Sequence, residues 1–332
     1  MTTRSRSRRL LLLGATVAAG AAAGMAYRRL ADAGTADRSS GDDGLHALGW
    51  GDVVSRPDHR IVRTPDGAHL AVWDLEGDGP DAPVVVLPHC WGCSHEIWVP
   101  VARRLREQGH RVVLYDQRGH GTSTRGTAPL AVDTLAHDLS AVLEATDVRD
   151  AVLAGHSMGG RIALEIYRLA PQRVTRIALL NTGYLPLAAG SAGEAETRKR
   201  AELVALAESE GMRAMLAQWL PPMIDSRRIN DTVLVNAITE MMSRKTPEIF
   251  AAQVRALLAR PDASAVLERI HRPALLLTGR EDGWSGPAQH TAMAAKIAGS
   301  QFVIVPDCGH MSMLERPAEV SASLRAWLTQ PA

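Results

Sequence analysis

The sequence predicts an α/β chain, a mostly parallel, eight-stranded sheet flanked by helices, and three patterns carry that prediction. Six short apolar runs lack the polar–apolar alternation of a half-solvated strand, as strands buried on both faces do. Helical patterns separate most of these runs, and strands that alternate with helices imply a doubly wound sheet. Between Thr182 and about Arg269 the pattern becomes helical only, which predicts a helical insertion after the sixth strand.

In chain order, Arg60 to Thr64 and His69 to Leu75 read as opening antiparallel strands. The buried runs are Val84 to Leu87, Val112 to Tyr115, Ala151 to Ala154, Ile177 to Leu180, Ala274 to Thr278 and Phe302 to Val305. Helices of the sandwich are expected around Ile97 to Gln108, Leu135 to Ala145, Arg161 to Leu169, Pro287 to Ile297 and Ala318 to Leu328. Within the insertion the candidates are Glu196 to Glu210, Met212 to Leu220, Asp231 to Met242 and Pro247 to Leu258. The expected organisation is an N-terminal segment over 1–50, a core over 51–182 and 270–332, and a cap over 183–269.

The chemistry-bearing stretch is Gly155-His156-Ser157-Met158-Gly159-Gly160, entered from a buried strand and followed by a helix. A serine at the apex of so tight a turn needs nearly side-chain-free neighbours, and Gly155, Gly159 and Gly160 supply them. A serine hydroxyl attacks a carbonyl only when a histidine takes its proton and a carboxylate orients that histidine. Downstream, the strand Ala274 to Thr278 ends in Gly279-Arg280-Glu281-Asp282, and the strand before Pro306-Asp307-Cys308-Gly309 leads to His310. The glycine-x-x-Asp spacing favours Asp282 as the orienting acid, with Glu281 and Asp307 close enough in sequence to compete.

Serine, acid and histidine in that order resemble the α/β-hydrolase fold superfamily, in its cap-bearing esterase and lactonase branch. The resemblance covers roughly residues 58 to 329. Pro88-His89 resembles that family's His-Gly oxyanion segment, and Asp116 to Ser123 its Asp-x-Arg-Gly-x-Gly-x-Ser loop; Gly309-His310 with Glu315-Arg316-Pro317 resembles its terminal histidine block. By that resemblance Ser157 is the nucleophile, His310 the general base and then acid, and Asp282 the orienting carboxylate. The oxyanion donors are the backbone N–H groups of Met158 and Trp91, and no cofactor or metal is required. Asp116 and His120 are expected to stabilise their loop. Cys90 departs from the family, standing where a glycine usually follows His89, and puts the oxyanion geometry in question.

The implied activity is hydrolysis of a small or medium, largely apolar ester or lactone through an acyl-enzyme, with Met215, Trp219, Met223, Met241 and Met242 as candidate cap-side lining. Carbon–carbon bond hydrolysis, perhydrolysis and acyl transfer run on the same triad, and a non-catalytic ligand-binding protein is the alternative of another class. Aspartate-nucleophile chemistry is disfavoured because position 157 is serine.

Composition points the same way. The chain has 332 residues, 46% of them hydrophobic, and a formal net charge of +1, so it can bury one large core and offers no electrostatic case for nucleic acid. No Lys-Ser/Thr pair follows a glycine run, which removes the phosphate-loop reading. The run His89-Cys90-x-x-Cys93-x-His95 has metal-binding residue types but lacks the second ligand cluster of a structural zinc site. The three thiols, Cys90, Cys93 and Cys308, read as small buried hydrophobes, with a bridge from Cys90 or Cys93 to Cys308 as the alternative in an exported protein.

The first fifty residues are of different material. Arg4, Arg6, Arg8 and Arg9 precede an uncharged run from Leu10 to Ala26, followed by a polar Asp/Gly/Ser stretch. Ser7-Arg8-Arg9-Leu10-Leu11-Leu12 resembles a twin-arginine export signal, and the apolar run sits at the short limit for a bilayer span. Export, or membrane association through residues 10–26 with the enzyme domain outside the cytoplasm, is the expectation.

Overall fold

A computed structural model describes residues 59–79 and 82–330. The export or anchor reading of residues 10–26 lies outside the described residues. Among the described residues no helix is long and apolar enough to cross a membrane.

One eight-stranded sheet organises the chain. Its strands are β1 (Arg60–Arg63), β2 (His69–Leu75), β3 (Val84–Val86), β4 (Arg111–Tyr115), β5 (Ala151–His156), β6 (Val174–Leu180), β7 (Ala274–Gly279) and β8 (Gln301–Val305). They lie in the order β1-β2-β4-β3-β5-β6-β7-β8. The pairs β1–β2 and β2–β4 are antiparallel, and every other pair is parallel. Every residue of β5 and β7 is buried, which is why their sequences run apolar without alternation.

The flanking helices are α1 (Val99–Glu107), α2 (Val132–Ala145), α3 (Met158–Leu169), α9 (Pro287–Ala294), α10 (Ser312–Glu315) and α11 (Pro317–Leu328); α4 to α8 lie between β6 and β7. From β3 the chain steps outward to β4 and then back past β3 to β5. With right-handed crossovers, that reversal puts α1 and α2 on opposite faces of the sheet. The carboxyl ends of β3 and β5 therefore flank a topological switch point, where open α/β sheets hold their ligands.

The insertion comprises α4 (Ser191–Glu210), α5 (Met212–Trp219), α6 (Thr232–Ser243), α7 (Pro247–Leu258) and the short α8 (Ser264–Leu267). It is pinned to the core by backbone hydrogen bonds: His310 N–H donates to Met223 O at 2.8 Å, and Asp225 N–H to the Glu315 carboxylate at 2.8 Å. Asp231 and Thr246 cap α6 and α7 by accepting from Leu234 N and Ile249 N.

Most boundaries lie within a few residues of the sequence expectation, and the largest differences are at helix starts. The helix expected from Arg161 begins at Met158, and that expected from Glu196 begins at Ser191. Gly159, Gly160 and Gly193 are poor helix formers and mask those first turns; packing overrides the propensity. The helix expected to reach Ile297 ends at Ala294.

Candidate active site

Ser157 sits between the last residue of β5 and the first of α3 with φ +53°, a left-handed conformation that costs a side-chain-bearing residue roughly 1–3 kcal/mol. The surroundings enforce it. Ser157 N–H donates to Leu180 O at 2.9 Å, and the Ser157 carbonyl accepts from Gly160 N at 3.0 Å and from the Thr182 hydroxyl at 2.6 Å. Two glycines are obligatory: a Cβ at Gly155 would lie 2.2 Å from Gly159 O, and one at Gly159 would lie 2.0 Å from Pro88 O. The second contact means that the segment leaving β3 crosses directly over the elbow.

The structure brings the three distant candidates together. The Ser157 hydroxyl donates to His310 Nε2 at 3.0 Å, and His310 Nδ1–H donates to Asp282 Oδ2 at 2.9 Å. Asp282 also accepts from Trp284 N (2.8 Å), Ser285 N (2.9 Å) and Asn181 Nδ2 (2.9 Å). Burial would raise its carboxyl, but His310 beside it and these donors outweigh that penalty and hold it well below the usual carboxylate range. Asp282 is thus an ionised, fully hydrogen-bonded acceptor that fixes the tautomer leaving Nε2 free to receive a proton. The competing acids point elsewhere. Glu281 accepts from Cys308 N and pairs with Arg227, and Asp307 pairs with Arg227 and Arg316.

Three residues that sequence reading passed over hold this arrangement. Asn181, fully buried at the end of β6, donates to Asp282 and to Gly309 O (3.2 Å) and accepts from the Ser312 hydroxyl at 2.6 Å. Its signal was a lone amide at the carboxyl edge of an apolar run. Thr182 clamps the Ser157 carbonyl, and His156 Nε2–H donates to His310 O at 2.8 Å. Burial, with His310 adjacent, lowers the His156 pKa well below its ordinary value, so its ring is neutral.

Trp91 and Met158, the expected oxyanion donors, both line the cavity that holds Ser157 and His310. The loop between β3 and α1 is set by His89, which donates from Nδ1 to Cys90 O at 2.7 Å and accepts at Nε2 from Gln117 N at 2.9 Å. Asp116 accepts from His95 N, His95 Nδ1 and Thr122 N, so it serves as a loop anchor. Cys90 does not distort this loop. Its φ is not positive, and the left-handed position falls instead on Gly92, at φ +76°. A cysteine therefore fits where the family carries glycine.

The alternative bridge to Cys308 is not formed. Cys90 and Cys93 face each other with sulfurs 2.8 Å apart, Cys308 turns towards Gly309 O, and all three are buried free thiols. Burial pushes the Cys90 and Cys308 thiols well up, so both are neutral and unreactive. Both His89 nitrogens and His95 Nδ1 are hydrogen-bonded within the protein, and among the described residues the His89, Cys90, Cys93 and His95 ligand atoms do not converge as a metal site. Among the described residues the carboxylates of Asp225, Glu281 and Asp307 converge, but Arg227 occupies their centre as counter-ion to all three.

The cavity has a volume of about 600 Å³. Of the cap residues expected to line it, Trp219 and Met223 do so; Met215, Met241 and Met242 do not. Those three are buried in the hydrophobic core, and Met242 fills the space beside Gly92. In their place the lining carries charge: Arg161, Lys199, Arg200 and Arg260 with Glu196. A cleft of about 680 Å³ on the far side of Arg161 contains neither Ser157 nor His310, so it is not a reaction chamber.

Comparison with known proteins agrees with this architecture. The chain is 29% identical over 265 residues to the dihydrolipoyllysine-residue acetyltransferase component of an acetoin cleaving system from Pseudomonas putida, covering 79% of this chain and 67% of that protein. It is 29% identical over 245 residues to 3-oxoadipate enol-lactonase 1 of Acinetobacter baylyi, covering 72% and 86% respectively. Among solved structures, a thermophilic esterase from Thermogutta terrifontis superposes with a TM-score of 0.73 at 27% identity, over 82% of this chain and 98% of that one. The family model for the alpha/beta hydrolase fold matches residues 83–317, and the chain belongs to that family.

Proposed function

We propose that the protein is a serine hydrolase that cleaves a small or medium carboxylic ester or lactone through an acyl-enzyme. The observation that carries this reading is the hydrogen-bonded relay from the Ser157 hydroxyl through His310 to the ionised Asp282, opening into the 600 Å³ cavity. The similarity to an enol-lactonase and an esterase supports the same class of substrate.

In this reading the Ser157 oxygen attacks the carbonyl carbon while His310 Nε2 takes its proton. The carbonyl oxygen gains the negative charge and accepts from the N–H groups of Trp91 and Met158, each worth roughly 3 kcal/mol of transition-state stabilisation. The tetrahedral intermediate collapses, His310 gives its proton to the departing alcohol, and Ser157 retains the acyl group. His310 then deprotonates a water that attacks the acyl carbon, and the proton returns to Ser157 as the acid leaves. Asp282 stays ionised and stabilises the transient imidazolium. The insertion acts as a cap that excludes bulk water, with Trp219 and Met223 giving the pocket its apolar wall.

Covalent labelling with a fluorophosphonate, mapped by mass spectrometry, together with turnover of 4-nitrophenyl acetate to octanoate, tests this reading. Label on Ser157 and turnover lost in Ser157→Ala support it; folded protein that neither labels nor turns over any ester sinks it. Product that forms only when an acceptor alcohol or amine is supplied would make the enzyme an acyltransferase. For the segment before residue 59 we propose export or anchoring outside the cytoplasm, tested by fractionation and N-terminal sequencing of the mature chain.

A further inference from the structure

Four cations line the cavity that holds Ser157, and Glu196 is the single carboxylate set against them. Glu196 is shared: Arg200 reaches it through Nε and Nη2, both at 2.9 Å, and Arg260 binds it through both terminal nitrogens at 2.9 Å. Among the described residues no carboxylate contacts Arg161, though the charges of Glu196 and Asp262 act on it. Arg161 is 7% exposed, and its guanidinium donates only to the carbonyls of Leu185 (2.7 Å) and Pro261 (3.3 Å). Burial, with Arg260 adding repulsion, pushes Arg161 down to about 10, still charged at neutral pH. A buried guanidinium beside a cavity with no carboxylate in contact is costly, and an anion that enters the cavity would offset that cost.

The placement suits a ligand. Arg161 lies one helical turn beyond Ser157 on α3, about 6 Å along the axis. Arg200, 3% exposed, stacks over the Trp284 ring at 4.6 Å and lies 5.9 Å from the Trp91 ring, so its fork is held rigid between two aromatic planes. Lys199 adds a second charge over Trp284, at 5.5 Å. A planar, pre-oriented guanidinium is what carboxylate recognition needs.

Resting on the ester-hydrolase reading, we propose that Arg200 and Arg161 form an anion subsite in the catalytic cavity, which receives a carboxylate carried by the substrate away from its scissile carbonyl. The aromatic wall takes the apolar body, and the cation cluster takes the charged end.

The test compares matched ester pairs that differ by one charge. One set carries it on the acyl chain: mono-4-nitrophenyl esters of four- to eight-carbon diacids against their methyl-capped counterparts, corrected for spontaneous hydrolysis. The other carries it on the leaving group, as 4-carboxyphenyl hexanoate against its methyl ester. In one set the charged member should have the higher kcat/KM by about tenfold or more, the value of a charge-assisted hydrogen bond. That ratio should collapse in Arg200→Gln and Arg161→Gln, be partly restored in Arg200→Lys, and shrink with added salt. A clamp role for these arginines would lower both members of a pair together and leave the ratio unmoved. No charged preference in either set, or a ratio indifferent to both variants, overturns the inference while leaving the hydrolase reading intact. If no ester is turned over, that reading has failed, and binding decides the subsite: adipate, unlike dimethyl adipate, should raise the Tm of wild type but not of Arg200→Gln. Equal shifts in the two proteins, or none, overturn it.

Discussion

Replacing Asn181 with leucine removes three polar contacts at nearly constant volume and reaches the triad without touching any of its members. In the native protein the amide donates to Asp282 Oδ2 (2.9 Å) and Gly309 O (3.2 Å) and accepts from the Ser312 hydroxyl (2.6 Å). The variant leaves the buried Gly309 carbonyl with only the weak Cys308 thiol, and the Ser312 hydroxyl with only the Met313 sulfur, at roughly 1–3 kcal/mol each, for a total loss of about 2–6 kcal/mol. Part of that loss is kinetic. The bond to Asp282 goes to an ionised carboxylate that steadies His310, and such bonds contribute about 1.5–3 kcal/mol, which corresponds to roughly a 10- to 100-fold fall in kcat. KM should change little, because Asn181 is not among the residues lining the cavity. The assay is steady-state turnover of 4-nitrophenyl butyrate beside urea unfolding of the same preparation. A variant that is destabilised but keeps its kcat would refute the view that Asn181 positions the acid, and one that keeps both would refute the accounting of its hydrogen bonds.

Gly159→Ala drives a Cβ to 2.0 Å from Pro88 O, so the oxyanion segment must move; kcat should fall by about two orders of magnitude with folding retained, read by turnover and circular dichroism. Arg118, 2% exposed, pairs with Asp66 and Asp138, and Arg118→Met strands the buried Asp138 carboxylate; about 3–5 kcal/mol of stability should be lost, measured by urea unfolding. Asp282 has a depressed folded-state pKa, so its contribution is complete above its unfolded value of about 3.9 and is lost as pH falls through the lower folded value. The stability gap between wild type and Asp282→Asn should therefore be constant from pH 5 to 7 and narrow progressively as pH falls below about 4, as followed by unfolding at each pH.

Much of the fold and of the candidate site is legible in the sequence because their signals are local. Strands such as Ala274 to Thr278 are buried on both faces and must be apolar throughout, and the elbow needs glycine at 155 and 159 because backbone passes within about a side-chain radius. The spacing Gly279-x-x-Asp282 likewise sets the acid at a strand end. Less visible were the starts of α3 and α4, where glycine hides a helix that packing enforces, and the supporting roles of Asn181 and Thr182, single polar residues without a motif.

By itself the sequence determined the sheet-and-helix alternation, the turn that exposes Ser157, and the three residue types that make a relay. Only the tertiary structure decided which acid meets His310, because Glu281, Asp282 and Asp307 lie within one short stretch of chain or beside the histidine and differ only in direction. It also decided that Cys90 sits in its loop without a left-handed backbone, since backbone dihedrals are not written in composition and the left-handed position fell to Gly92. The charge of the cavity is the clearest case. Arg161 comes from the core and Lys199, Arg200 and Arg260 from the insertion, and their convergence depends on how the insertion folds back onto the core. Residues far apart in sequence share a wall only when long-range packing brings them there, and no local pattern records it.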